Sequence, residues 1–277
     1  MKRTIVIAAL LASAVTAGAF TTTSPVVIDA VRQAWHPVLS PDGSTILFST
    51  DNHTGLKALD ITTGSVTVLD EGASAGFAPV FSTDGGTVIY RTLHKVDGLH
   101  CRDVRSTSTD GKVRKTLAAP VRGSIDLNSL AGNSSYAVSE IGAIKVAVGG
   151  KTATVRPLSD AHSYLWASLS ADGGKILFNE PFSGVWTANA DGSHPVRVAD
   201  SGDFPCWAGD NLIVYVVSKN DGYQTLYAHL MAMDTETGET RQISDDSIIV
   251  SEATACAGGR IVYSDTEGNL YTLFIKK

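Results

Sequence analysis

The sequence predicts an all-β fold, a six-bladed β-propeller with four antiparallel strands per blade. Three observations carry this: a motif that recurs about every 43 residues, β-branched and aromatic runs cut by Gly, Asp and Asn turns, and no sustained helical periodicity. Composition agrees. The chain has 277 residues, 43% hydrophobic and 18% charged, with 26 Gly and only 3 Cys, which excludes a disordered chain, a collagen and a disulfide-stapled miniprotein.

At the N-terminus, Lys2 and Arg3 precede an apolar run from Ile5 to Val15, and Ala17-Gly18-Ala19 has the small-x-small form of a leader-peptidase site. Residues 1–19 therefore read as a signal peptide, which makes the mature chain periplasmic or secreted. The apolar run is too short to span a bilayer, which takes roughly 20 residues, so the chain is not expected to be membrane-spanning. Residues 20–277 read as the propeller, with blades beginning near residues 34, 77, 124, 164, 203 and 249. The β-branched segment from Pro25 to Val31 has no partner of its own. It is expected to supply the outer strand of the last blade, closing the ring and covering two open edges.

The repeat is plainest where Ser40-Pro41-Asp42-Gly43 precedes Thr45-Ile46-Leu47-Phe48. It returns as Ser82-Thr83-Asp84-Gly85 before Thr87-Val88-Ile89-Tyr90, and as Ser170-Ala171-Asp172-Gly173 before Lys175-Ile176-Leu177-Phe178. Degenerate copies occupy Asn128–Val138, Pro205–Tyr215 and Thr254–Tyr263. The first copy divides into strands near Ala34–Leu39, Thr45–Ser49, Leu56–Asp60 and Val66–Leu69. The last has Val250–Ala255, Arg260–Ser264 and Leu270–Ile275, then ends without a fourth strand. Asp-Gly and related turns supply the positive-φ positions that tight hairpins require.

The unit running from Pro37 to Gly43, with partial matches at Pro79–Gly85 and Ser170–Gly173, resembles the repeats of TolB-like propellers, which are similar to WD-like repeats. That resemblance implies a stand-alone propeller, because the domain that precedes the propeller in TolB has no counterpart here, and neither has the hydrolase domain of propeller peptidases. It implies a fold and leaves the activity open.

Net charge of −6 with scattered Lys and Arg argues against a nucleic-acid partner. Gly72-Ala73-Ser74-Ala75-Gly76 matches a nucleophile-elbow string, but it lies between two strands and lacks the following helix. Asn189-Ala190-Asp191-Gly192 matches part of a calcium loop without its downstream glutamate. No catalytic set, metal site or cofactor is assigned. Cys101, Cys206 and Cys256 leave at least one thiol unpaired, and their spacing does not fix a pairing.

Propellers bind at the face where the inner strands begin. Here that rim comprises Trp35, His36, Phe77, Asp126, His162, Tyr164, Trp166, Asp203 and Glu252. Its mixture of aromatic and ionisable groups suits a protein or peptide partner in the cell envelope. The alternative is a propeller enzyme, a lyase or hydrolase on saccharide or peptide, using His36, Asp126, His162 and Glu252 for acid–base or metal chemistry. That reading requires the four to converge on one point.

Overall fold

The structure, a computed structural model, describes residues 19–121 and 125–277. The leader read at residues 1–19 thus lies outside the described residues except for Ala19. Six antiparallel sheets succeed one another along the chain as the blades of a propeller, and the inner strands of the fourth, fifth, sixth and first sheets pack side by side in turn. Blade one comprises Trp35–Leu39, Thr45–Ser49, Leu56–Asp60 and Val66–Asp70, paired in chain order. Blades two, four and five repeat that four-stranded order.

The last blade is closed from the other end of the chain. Its strands Val250–Ala255, Arg260–Asp265 and Leu270–Lys276 are completed by Thr21–Thr22, opposite Lys276 and Ile275, and by Val26–Val27, opposite Thr272 and Tyr271. The Phe20 ring, 2% exposed, enters the apolar cluster between blades five and six. The Arg241 guanidinium covers it at 4.4 Å and donates to the Phe20 carbonyl at 2.6 Å. Closure is therefore both a hydrogen-bonded edge and a side-chain anchor.

Blade three departs from the pattern. Its sheet holds Tyr136–Glu140, Ala143–Val148 and Lys151–Val155, while the expected inner strand is replaced by a helical turn, Leu127–Leu130. Asp126 caps that turn, its carboxylate accepting from the Ser129 amide at 3.2 Å, so the local sequence prefers a capped turn to an extended run. Leu127 packs with Ile89 and Val104 of blade two.

Each seam between blades is an apolar cluster. Ile46, Leu59, Val262 and Leu270 fill one, Leu47, Leu69, Val88 and Tyr90 the next, and Ile144, Tyr164, Ile176 and Phe178 a third. The strand positions alternate so that neighbouring sheets interdigitate.

The recurrent turn has a physical basis. In blades one, two and four the hydroxyls of Ser40, Ser82 and Ser170 each donate to the aspartate two residues on at 2.6 Å. The same oxygens accept the amides of Thr45, Thr87 and Lys175. These contacts hold Asp42, Asp84 and Asp172 below the usual carboxylate range, with the serine hydroxyl the largest cause in each case.

Two outcomes test these contacts. Phe20→Ala should lower unfolding free energy by about 3 to 5 kcal/mol, the range for emptying a buried aromatic site, as read by urea denaturation. Ser170→Ala should cost about 1 to 2 kcal/mol at neutral pH, the loss of a buried hydroxyl that both donates and accepts. Because Asp172 is depressed in the folded state, its contribution is present above its unfolded pKa and lost as pH falls through its folded pKa. The gap between wild type and Ser170→Ala should accordingly shrink as the solution is acidified below pH about 4.

Candidate functional site

The inner strands begin at one face, here termed the upper face, where the second strand of each blade also ends. Trp35 is opposite Ser49, Leu165 opposite Asn179 and Asp203 opposite Val216. Just beyond each of these pairs, two residues of the inner strand face one of its neighbour, as the next pairs Val38 with Leu47, Ser168 with Leu177 and Cys206 with Val214 show. These are β-bulges, which bend a strand and re-aim its side chains.

The first bulge residue is left-handed in all three of these blades: His36, Trp166 and Phe204 have φ of 54°, 50° and 52°, and Ala78, at the same place in blade two, has 46°. None is Gly or Asn, so each conformation costs about 1 to 2 kcal/mol locally. The surrounding sheets hold all four in it.

The bulge residues meet neighbours around the rim. Trp166 of blade four lies against Phe204 of blade five, ring centroids 4.6 Å apart. His36 stacks on His53 at 3.6 Å, and His53 meets the edge of Phe77 from blade two at 5.0 Å. His36 also joins blade one to blade six, with Nδ1 2.6 Å from Glu252 Oε1 and Nε2 3.0 Å from the Asp51 carbonyl. Both ring nitrogens thus face acceptors and the ring is best satisfied as an imidazolium. Burial opposes that charge, but the Glu252 carboxylate and the carbonyl prevail and raise the pKa of His36. His53 is lowered, first by its own burial and then by the positive charge of His36.

The other rim residues divide into separate contacts. His162 Nδ1 is 3.5 Å from Glu180 Oε1; Glu180 is buried and also accepts from the Phe182 amide and the Ser183 hydroxyl. Asp126 holds Lys145 Nζ and the Tyr136 hydroxyl, each at 2.6 Å. Asp203 is raised by burial alone. Trp35 packs over Gly268 in the blade-six turn, where an added Cβ would meet its ring at 2.7 Å. Tyr164 corrects an expectation: only 2% exposed, it takes the amides of Leu158 and Ser159 and donates to the Ser159 carbonyl. It is a core residue that ties down a loop.

The four groups required by an acid–base reading fall into three separate pairings: His36 with Glu252, His162 with Glu180, and Asp126 with Lys145. Among the described residues no group of three His, Cys, Asp or Glu is placed to hold a metal ion. Gly72–Gly76 is an inter-blade loop, with the Ala73 carbonyl accepting from the Leu93 amide of blade two. Gly76 lies where a Cβ would strike Ser49 at 2.2 Å. Asn189–Gly192 forms a hairpin turn closed by Ser193. All three cysteines are unpaired.

Residues that the sequence reading missed stand at the turns between second and third strands. Ile141, Phe182 and Tyr223 are 104%, 94% and 100% exposed. Two of these hairpins are also long: Thr87–Val96 with Leu99–Ser108 in blade two, and Leu212–Asn220 with Thr225–Asp234 in blade five. The ten-residue strands of blade two, against five in blade one, carry its hairpin roughly 16 Å further above the upper face. Among the described residues, the exposed Phe, Tyr and Trp side chains are Phe77, Trp166, Phe182, Tyr223 and Tyr227, and all lie on this face or on the blade-five hairpin. Turns on the opposite face are built from Asp-Gly pairs such as Asp42-Gly43 and Asp172-Gly173.

No family model matches the chain, and no curated protein matches it. Among solved structures it is similar to the putative TolB from Agrobacterium tumefaciens, at 16% identity over 89% of this chain and 91% of that one, with a TM-score of 0.55. It is similar also to a luciferin-regenerating enzyme, at 10% identity over 92% and 96% of the two chains and a TM-score of 0.53. Against the acylaminoacyl peptidase of Pyrococcus horikoshii the identity is 14% and the TM-score 0.51, covering 87% of this chain and 44% of that one. The fold is thus that of a TolB-like six-bladed β-propeller. Among the described residues no helix is long and apolar enough to cross a membrane.

The His36–Glu252 contact gives a pH test. With His36 raised in the folded state, the stability it contributes is complete below its unfolded pKa and fades as pH rises through its folded pKa. Glu252→Gln should move the NMR titration of His36 to lower pH and remove that alkaline decline.

Proposed function

We propose that the chain is an exported interaction module, periplasmic or secreted, that recognises a protein or peptide of the cell envelope on its upper face. The observation that carries this reading is the asymmetry between faces. Phe182, Tyr223 and Ile141 stand nearly free of the fold at turn tips on one side, while the turns of the other side expose only aliphatic residues such as Val113 and Val148, and those only partly. All five exposed aromatic side chains among the described residues lie on this face or on the blade-five hairpin, and aromatic side chains are enriched where partners meet. The rim aromatics Trp166 and Phe77 continue the same surface inward. The leader read in residues 1–19 supports the location.

The His36–Glu252 pair, two of the four groups the enzymatic alternative uses, supports the binding reading. A histidine with both nitrogens occupied has none free to take a proton from a substrate, so the pair reads as a clasp between the first and last blades.

Phe182→Ser with Tyr223→Ser tests the proposal. Both side chains are almost fully exposed, so stability should change by no more than about 0.5 kcal/mol. A partner captured from the envelope fraction by the wild type, and identified by mass spectrometry, should be lost from the double variant. Retention of the same partner at equal yield would place binding elsewhere.

A further inference from the structure

The blade-two hairpin carries charge on both of its faces, and the two faces are treated differently. On the face turned to blade one, Arg105 meets Asp70 at 3.1 Å and Asp103 at 3.3 Å, and His94 is 3.6 Å from Asp103. Charges there are neutralised within the fold. On the face turned to blade three stand Arg91, Leu93 and Lys95 from one strand. Cross-strand pairing sets Val104, Arg102 and His100 opposite them, and directly opposed residues share a face.

Among the described residues, Arg91, Lys95 and Arg102 form no ion pair. Arg91 donates only to the Ile125 carbonyl, at 2.7 Å. Its nearest acid, Asp126, is already taken by Lys145 and Tyr136. The segments outside the described residues, 1–18 and 122–124, contain no Asp or Glu, and 122–124 reads Arg-Gly-Ser. Every aspartate and glutamate of the chain is therefore accounted for. Burial lowers the proton affinity of Arg91, and the neighbouring charge of Arg102 lowers it further. In a chain of net charge −6, three unpaired cations grouped on a projecting hairpin make a local positive sector suited to an anionic ligand.

Resting on the reading of the upper face as the docking face, we propose that the blade-three side of this hairpin binds an acidic peptide segment of the partner, with Arg91 and Arg102 gripping carboxylates and Lys95 extending the contact toward the tip. Arg91 and Lys95 are four residues apart on one strand, about 13 Å, which is longer than one carboxylate or phosphate group. The ligand is accordingly extended and multiply charged. Leu93, directly opposite Arg102, adds apolar contact between the charges. A nucleic acid fits less well, because acidic groups such as Asp203, Glu252 and Asp265 lie elsewhere on the face and would repel a continuous polyphosphate, whereas a short acidic segment touches only the basic sector.

The test uses the full chain and a short fluorescein-labelled peptide of alternating Glu and Gly, followed by anisotropy. Lys95→Gln with Arg102→Gln, both exposed positions, should weaken binding about tenfold, equivalent to about 1.4 kcal/mol, and rising salt should weaken the wild type. Lys219→Gln on the blade-five hairpin should leave the affinity unchanged. No binding to the wild type, or equal binding to the double variant, overturns the assignment. So does single-stranded DNA of equal charge binding more tightly and losing affinity in the same variant, which would make the sector a polyphosphate site. Inorganic phosphate displacing the peptide at micromolar concentration would show a simple anion site and overturn the extended ligand. Because Phe182 and Tyr223 are untouched in these variants, failure here leaves the capture experiment with the aromatic variant to decide the broader reading on its own.

Discussion

The whole ring depends on the antiparallel pairing of Thr21–Thr22 and Val26–Val27 with the last strand of the chain. A blade buries apolar surface only against its two neighbours, so an open array leaves one face of the first and one face of the last without cover. Pairing across the termini converts that array into a closed ring, and Phe20 under Arg241 makes the junction a packed one. The His36–Glu252 contact and the Leu39 amide donating to the Thr254 hydroxyl join blades one and six on the inner side of the same junction. Outer and inner strands are thus both tied where chain continuity is missing.

On this frame the two faces are built by opposite means. The lower face is made from turns in which a serine hydroxyl and an aspartate satisfy each other and the local amides, leaving little polar capacity unused. The upper face is made from bulges whose left-handed residues include His, Trp and Phe. A bulky residue in that conformation is unfavourable in isolation, and its recurrence in four blades indicates a geometry that the sheets impose and the side chains exploit. Local economy is concentrated on one side and display on the other.

Much of this was legible in the sequence. The Ser-x-Asp-Gly period marks the turns because its hydrogen bonds are local, and the strands of blade one fall within a residue of their expected bounds because β-branched runs and glycines delimit them. The unpaired segment before blade one was readable as a closing strand because it had no local partner. The helical turn in blade three is hidden in the sequence by the degenerate repeat copy at Asn128–Val138, although Asp126 directly before Leu127 is a helix N-cap residue. Tyr164 escaped for another reason: whether an aromatic beside an inner strand points out or into a seam depends on packing between blades. The left-handed bulges carry no glycine or asparagine to announce them. Ile141, Phe182 and Tyr223 did carry a signal, a lone apolar residue set beside Gly, Pro or Ser in a turn, and it is one that strand periodicity ignores.

Among the described residues, the seam between blades two and three has the smallest buried cluster, Ile89, Val104 and Leu127. Inner strands lie side by side from blade four round to blade one, whereas here the blade-three element is a single helical turn. In a closed ring of similar units, breathing begins at the least buried joint, so amide hydrogens around Leu127 and along the facing blade-two strand belong to the first subunit of the structure to exchange with solvent. Thermal opening at that joint would swing the basic hairpin and the capped turn apart while the other joints stay shut. The molecule then behaves as a C-shaped clamp with one soft gap, and anything that bridges the gap stiffens the entire ring.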